Sequence, residues 1–87
     1  MTARDTIDKI DRQLVKLFAQ RLQAAEVALR EKQTAGTPIH DPAREQEVLE
    51  NVKKHARELG VDTRVTEELF QQIIAYMREH QNKLNTS

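Results

Sequence analysis

Residues 3–34 read ARDTIDKIDRQLVKLFAQRLQAAEVALREKQT, and this segment sets the architecture of the chain. It contains no glycine or proline and is rich in residues of high helix propensity, so we predict one long helix over residues 3–34. Such a helix spans roughly 46 Å at 1.5 Å per residue, whereas a compact chain of this size has a radius of gyration near 12 Å. The helix is therefore too long to be covered by its own domain.

The apolar residues of this helix recur at near-heptad spacing, as in a seam that packs against other helices. They are Ile7, Ile10, Leu14, Leu17, Phe18, Ala24, Ala25 and Ala28. A second copy of the chain is the simplest cover for the seam, and we predict an intertwined helical homodimer. A different partner chain remains an alternative at this stage.

The rest of the chain predicts two shorter helices. Residues 34–41, TAGTPIHD, contain turn formers and end in Asp41, a helix cap, followed by Pro42 at the first helical position. The second helix runs to Gly60, and Asp62 or Thr63 caps a third helix that ends before a polar NTS tail. With no β pattern and no internal repeat, residues 1–87 form a single all-α domain of three helices.

Composition excludes several classes of function. The 87 residues carry 14 basic and 14 acidic side chains, and this zero net charge disfavours nucleic-acid binding through an overall positive field. No cysteine is present and the only serine is Ser87, so a Ser or Cys nucleophile is effectively ruled out. Without a secretory signal, a membrane span, a metal-binding histidine motif or a phosphate-binding glycine loop, we expect a cytoplasmic protein with no membrane partner, metal or cofactor. The three histidines are expected on the surface.

Two cations lie within the apolar stripe of the first helix. Arg21 and Lys32 both fall there when the helix is turned at 100° per residue, and Arg4 lies near one edge. Long side chains at the edge of a seam can extend to solvent, and a buried arginine can set the register of two helices. Two such residues are harder to explain in this way, because an uncompensated buried charge costs several kcal/mol.

The other two helices show the same pattern. Asp41, Arg44 and Glu45 precede the apolar positions of the second helix, and Gln81 interrupts the apolar face of the third. Each has an ordinary structural explanation, as a cap, a solvated first turn or a satisfied core amide. Together with Arg21 and Lys32, however, they can converge in one cationic pocket between facing helices. Such a pocket suits an anionic organic ligand whose reaction needs electrostatic positioning.

The order and spacing of these residues resemble the all-helical (type II) class of chorismate mutases over essentially the whole chain. The matching elements are Arg4 in RDTIDKID, Asp11, Arg21 in LFAQRLQAA, Lys32, Asp41-Pro42-Ala43-Arg44-Glu45, and LFQQIIAYMREHQ ending at Gln81. Each element is weak by itself, but all of them in this order are hard to meet by chance.

The resemblance implies a cofactor-free isomerase that rearranges chorismate to prephenate in phenylalanine and tyrosine biosynthesis. By similarity, Arg21 and Arg4 of the partner subunit hold the two substrate carboxylates, and Lys32 and Gln81 donate to the ether oxygen. Glu45 and the backbone near Asp41 bind the ring hydroxyl, and Arg44 completes the cationic wall. The family thus implies Lys32, Gln81, Arg21 and Glu45 as catalytic residues, with the remaining residues binding substrate.

One position departs from the family, because Met77 stands where bacterial members carry a serine that touches a substrate carboxylate. Two alternatives remain. An isochorismate-pyruvate lyase shares the fold, but it lacks the acidic residues found here as Asp41 and Glu45. A non-catalytic helical dimerisation module does not explain why cations from separate helices share an apolar environment.

Overall fold

The structure, a computed structural model, describes residues 1–86 and consists of three helices. They are α1 (Ala3–Ala35), α2 (Pro42–Leu59) and α3 (Thr63–Thr86). The predicted all-α fold of one long and two shorter helices is confirmed. Residue 87 of the predicted domain lies outside the described residues.

The helix ends follow local capping chemistry. Thr2 and Asp5 form a capping box at the start of α1, and Asp41 accepts a hydrogen bond from the Arg44 backbone N–H at 3.0 Å at the start of α2. Gly60 ends α2 with φ +70°, a left-handed conformation that favours glycine. Asp62 caps α3 by accepting from the Val65 N–H at 3.1 Å, which settles the choice that the sequence left open.

The end of α3 differs from the prediction. Asn85 and Thr86 continue the helix instead of forming a polar tail. The side chain of Gln33 in α1 donates to the Asn85 side-chain oxygen at 2.9 Å, so this last turn is tied to α1. The polar composition misled the prediction because neither residue is a strong helix breaker.

The third helix packs against both of the others and carries two of the four buried core residues. Its Ile74 and Met77 are buried together with Leu29 of α1 and Ala56 of α2. The Phe18 ring of α1 lies 5.6 Å from the ring of Tyr76 on α3, centroid to centroid. On α1 these contacts begin at Phe18, near the middle of the helix.

The N-terminal half of α1 extends beyond the other two helices. Every residue from 1 to 17 is exposed, including Ile7, Ile10, Leu14 and Leu17, each between 48% and 59% accessible. The molecule measures 50 × 25 × 16 Å and its radius of gyration is 15.4 Å, above the value of about 12 Å expected for a compact chain of this length. The single chain therefore leaves much of the predicted seam uncovered.

None of the helices in the described part of the chain combines the length and apolarity needed to cross a membrane.

Candidate active site

A cavity of about 340 Å³ lies where the three helices face one another. Its volume is near the lower end of the range of roughly 300–1,000 Å³ that small-molecule pockets occupy. The lining residues are Arg21, Ala24, Ala25, Ala28, Lys32, Ile39, His40, Asp41, Arg44, Glu45, Val48, Ile74, Met77, Arg78, Gln81 and Asn82. Six of the seven site residues predicted from the sequence are in this set, and Arg4 is the exception.

Arg21 supplies a cation on the α1 wall of the cavity. Its side chain is only partly accessible, and it makes no hydrogen bond or ion pair with any residue that the structure describes. Burial lowers the pKa of the Arg21 guanidinium below its ordinary value, and the nearby cation of Arg44 lowers it further. Folding thus places a positive charge where it is disfavoured, which suits the binding of an anion.

Lys32 lies three helical turns further along the same wall. Its ammonium group donates to the carbonyl oxygen of Ile39, in the loop before α2, at 2.9 Å. An ammonium group has three donors, so this bond fixes the side chain and leaves two N–H groups for another acceptor.

Gln81 brings an amide to the cavity from α3. The amide nitrogen donates to the carbonyl oxygen of Ala25 in α1 at 2.8 Å. The same nitrogen carries a second hydrogen, so the amide is held in place with one donor to spare. The neighbouring His80 strengthens this contact between helices, since its Nε2 lies 2.9 Å from Glu26 Oε1.

His80 corrects the expectation that all three histidines lie on the surface. Its side chain is 29% accessible and its ring stacks against the ring of Tyr76. His40 and His55 are exposed as expected.

The first turn of α2 supplies the carboxylates. The Asp41 side chain is used as the helix cap, and Glu45 is one turn later with a side chain 25% accessible. The Arg44 guanidinium donates a hydrogen bond to the Glu47 carboxylate, and Arg44 also lines the cavity. The predicted cap and the predicted convergence of Asp41, Arg44 and Glu45 with α1 are both present.

Arg78 is a lining residue that the sequence analysis missed. It donates from Nε to Glu45 Oε2 at 3.1 Å and from Nη2 to Glu45 Oε1 at 3.0 Å. The available signal was its spacing, because Ile74, Arg78 and Gln81 fall on one helical face at i, i+4 and i+7.

Met77 forms part of the apolar wall and is 4% accessible. Its thioether offers no hydrogen-bond donor. It therefore cannot replace a hydroxyl group that binds a carboxylate.

Arg4 lies outside the cavity on the exposed N-terminal half of α1. It does not join the other predicted site residues within one chain.

The cavity carries a net positive charge. Its cations are Arg21, Lys32, Arg44 and Arg78, and its carboxylates are Asp41 and Glu45. Four positive charges less two negative ones leave a net charge of +2 when His40 is neutral. Among the described lining residues no side chain has a hydroxyl or thiol group, and no cluster of metal-ligating side chains is found within residues 1–86. The arrangement can bind an organic dianion and direct N–H donors at it, but it has no Ser, Thr, Tyr or Cys nucleophile.

Comparison with known proteins finds, along most of the chain, the family that the sequence resembles. The sequence model of the family described as chorismate mutase type II matches residues 3–82. A chorismate mutase of Methanocaldococcus jannaschii is 34% identical over an alignment that covers 92% of this chain and 89% of the relative.

Two longer relatives are similar over the same region. The T-protein of Haemophilus influenzae is 31% identical across 90% of this chain, and the T-protein of Enterobacter agglomerans is 32% identical across 95%. The alignments span only 21% and 23% of these two proteins, so the similarity is to about a fifth of each.

Proposed function

The chain belongs to the chorismate mutase type II family and has the isomerase activity of that family, and we propose that the cavity between its three helices is the active site where chorismate rearranges to prephenate. The observation that carries this proposal is the convergence of Arg21, Lys32 and Gln81 in one pocket of net charge +2. Chorismate is a dianion with two carboxylates, so its charge matches that of the pocket. We place the reaction in phenylalanine and tyrosine biosynthesis.

The reaction needs no nucleophile or cofactor. One C–O bond of the enolpyruvyl ether breaks while one C–C bond forms within the same molecule, and no atom is gained or lost. The catalyst has to hold the side chain folded over the ring and to stabilise the negative charge that develops on the ether oxygen. A pocket of fixed cations and amides is suited to both tasks.

Arg21 acts as a clamp for a substrate carboxylate in this proposal. Its guanidinium has no internal partner among the described residues, so a planar, two-donor contact with a carboxylate is open to it. Arg44 adds positive charge to the same wall.

Lys32 and Gln81 donate to the ether oxygen. Each side chain is already oriented by one bond to a backbone carbonyl, from Ile39 and Ala25 respectively, and each keeps at least one further N–H. Donors held in place before the reaction stabilise the transition state more than the ground state, because their dipoles need not reorganise as charge develops.

Glu45 and the backbone near Asp41 bind the ring hydroxyl. A carboxylate is a strong acceptor for a hydroxyl group, and Glu45 is partly buried at the cavity wall. These two acidic residues also favour a mutase over an isochorismate-pyruvate lyase.

The second copy of the chain is part of the proposal. Exposed apolar side chains at Ile7, Ile10, Leu14 and Leu17 form a strip that a partner helix can bury. Antiparallel packing of two α1 helices would bring Arg4 of the partner subunit toward Arg21 and Lys32, and Arg4 would then hold the second carboxylate. The expected cytoplasmic location and the absence of nucleic-acid partners remain predictions.

The direct test is the loss of chorismate absorbance in the ultraviolet, with phenylpyruvate detected after acid treatment. We expect wild-type protein to consume chorismate, and Lys32→Ala to lose a factor of about 100 or more in kcat/KM, the scale of removing a charge-assisted donor. Lys16→Ala, which changes an exposed lysine of the same helix, is the matched control. Pyruvate release from isochorismate without chorismate turnover would establish the lyase instead. No reaction with either compound would favour the non-catalytic dimerisation module.

A further inference from the structure

Arg78 and Glu45 join α3 to α2 through a two-bond fork. The guanidinium Nε and Nη2 reach the two carboxylate oxygens at 3.1 and 3.0 Å, across 33 positions of sequence. Two nearly parallel N–H···O bonds fix the plane and the rotation of a carboxylate, which a single bond does not do.

Arg78 is the group that orients Glu45 within the described part of the chain. The His40 Nε2 atom lies 4.0 Å from Glu45 Oε2, beyond hydrogen-bond distance. The adjacent cation, Arg44, is paired with Glu47 instead. Without Arg78, the partly buried Glu45 carboxylate would have no hydrogen-bonded side chain among the described residues to hold it.

The fork also determines how the Glu45 carboxylate interacts with a dianionic ligand. A carboxylate accepts about four hydrogen bonds, so the two from Arg78 leave room for a hydroxyl group of the ligand. The guanidinium offsets the negative charge of Glu45, which would otherwise repel a substrate carboxylate in the same cavity.

We propose that Arg78 is a positioning residue that holds Glu45 as a charge-compensated acceptor for the substrate ring hydroxyl. The inference rests on the proposed function, in which Glu45 binds that hydroxyl. Because the contact with the hydroxyl is present in both the ground state and the transition state, its loss raises KM more than it lowers kcat.

The test compares steady-state kinetics of wild type, Arg78→Gln, Glu45→Gln and the double variant. We expect Arg78→Gln to raise KM for chorismate about tenfold with less than a threefold change in kcat. In the Glu45→Gln background the same change should alter KM by less than about twofold, because no carboxylate is left to orient. Arg64→Gln, which breaks an exposed ion pair with Glu68 in the same helix, should leave both constants unchanged.

Arg78→Lys keeps the test informative if Arg78→Gln fails to fold. Lysine retains the charge but not the planar fork, so we expect KM to rise about threefold. Circular dichroism melting of each variant reports folding separately from kinetics.

Two results would overturn the inference. One is an unchanged KM in both Arg78 variants. The other is an equal change in KM on Arg78→Gln whether Glu45 is present or replaced, since Arg78 would then contact the substrate itself or serve only the packing of the helices. Both results require an active wild type, so they differ from failure of the proposed function, in which wild-type protein would not consume chorismate.

Discussion

At the level of single residues, the site contains one charge that is placed where folding disfavours it. Arg21 is partly buried beside the cation of Arg44, and this environment lowers its pKa. Lys32 and Gln81 are instead stabilised by backbone carbonyls. The pocket therefore combines one uncompensated cation with two donors that are already held in place.

Arg21→Met removes the charge while keeping an unbranched side chain of similar reach. A base whose pKa is lowered in the folded state is more easily protonated in the unfolded state, so the charge opposes folding at every pH where arginine is protonated. We expect a higher melting temperature for the ligand-free variant, together with a loss in kcat/KM of about 100-fold or more. Calorimetry and the ultraviolet assay measure the two effects, with the exposed Arg12→Met as control. A less stable variant with wild-type activity would show that Arg21 has a structural role only.

Gln81→Glu tests the donor at the ether oxygen through its pH dependence. An amide donates at any ordinary pH, whereas a glutamate side chain donates only when protonated, and its ordinary pKa is about 4.3. We expect activity of the variant to rise about tenfold for each unit of decrease in pH above the carboxyl pKa, while wild type stays nearly flat around neutrality. Gln71→Glu, on an exposed position of α3 outside the cavity, serves as control. If the two variants gave the same pH profile, Gln81 would not be the donor.

At the level of secondary structure elements, a second polar contact holds α2 against α3. The Lys53 ammonium group lies 2.8 Å from Glu67 and 3.1 Å from Glu50. Hydrogen bonds to Glu67 and then Glu50 raise the pKa of Lys53, and the bond from Lys53 is the main cause of a lowered pKa at Glu50. This contact stabilises the pair of helices that carries Glu45 and Arg78.

Lys53→Met should reduce stability only over a defined pH range. Because the pKa of Lys53 is raised on folding, its contribution is complete below the ordinary lysine pKa of about 10.4 and is lost as pH rises through the folded value. Because the pKa of Glu50 is lowered, its contribution is complete above about 4.3 and is lost as pH falls through the folded value. Urea unfolding of wild type and variant should differ near neutrality and converge at both extremes.

Lys54→Met gives the matched control for Lys53→Met. Lys54 is exposed on the same helix and has no ion pair among the described residues. A difference between wild type and Lys53→Met that stayed constant across the whole pH range would show that packing, and not charge, accounts for the contact.

At the level of the whole molecule, the N-terminal part of α1 extends beyond the core that the three helices form. The buried residues lie around the C-terminal part of α1, while residues 1–17 are exposed. One predicted site residue, Arg4, lies on the exposed part, and the other six lie in the cavity. The proposed homodimer, in which Arg4 of the partner subunit completes each site, would account for both features.

Mixing two inactive variants tests the shared site. Arg4→Ala and Arg21→Ala homodimers should each be nearly inactive, whereas a mixed dimer has one site with both arginines and one with neither. Random reassociation makes about half of the dimers mixed, so about a quarter of wild-type activity should return after joint unfolding and refolding. No recovery, with mixed dimers confirmed by mass, would place Arg4 outside the site or within its own chain's site.

Local chemistry along the chain was enough to predict the three helices, because a cap such as Asp41 or a left-handed Gly60 acts on backbone groups within a few positions. Helical phase was enough to bring Arg21, Lys32 and Gln81 to inward faces. The pairing of Arg78 with Glu45 and the contact of the half-buried His80 with Glu26 depended on how the helices cross. Partners 33 and 54 positions apart have no signature in a local pattern. The continuation of α3 through Asn85 and Thr86 was also missed, because a polar composition does not by itself end a helix and the bond to Gln33 is a tertiary contact.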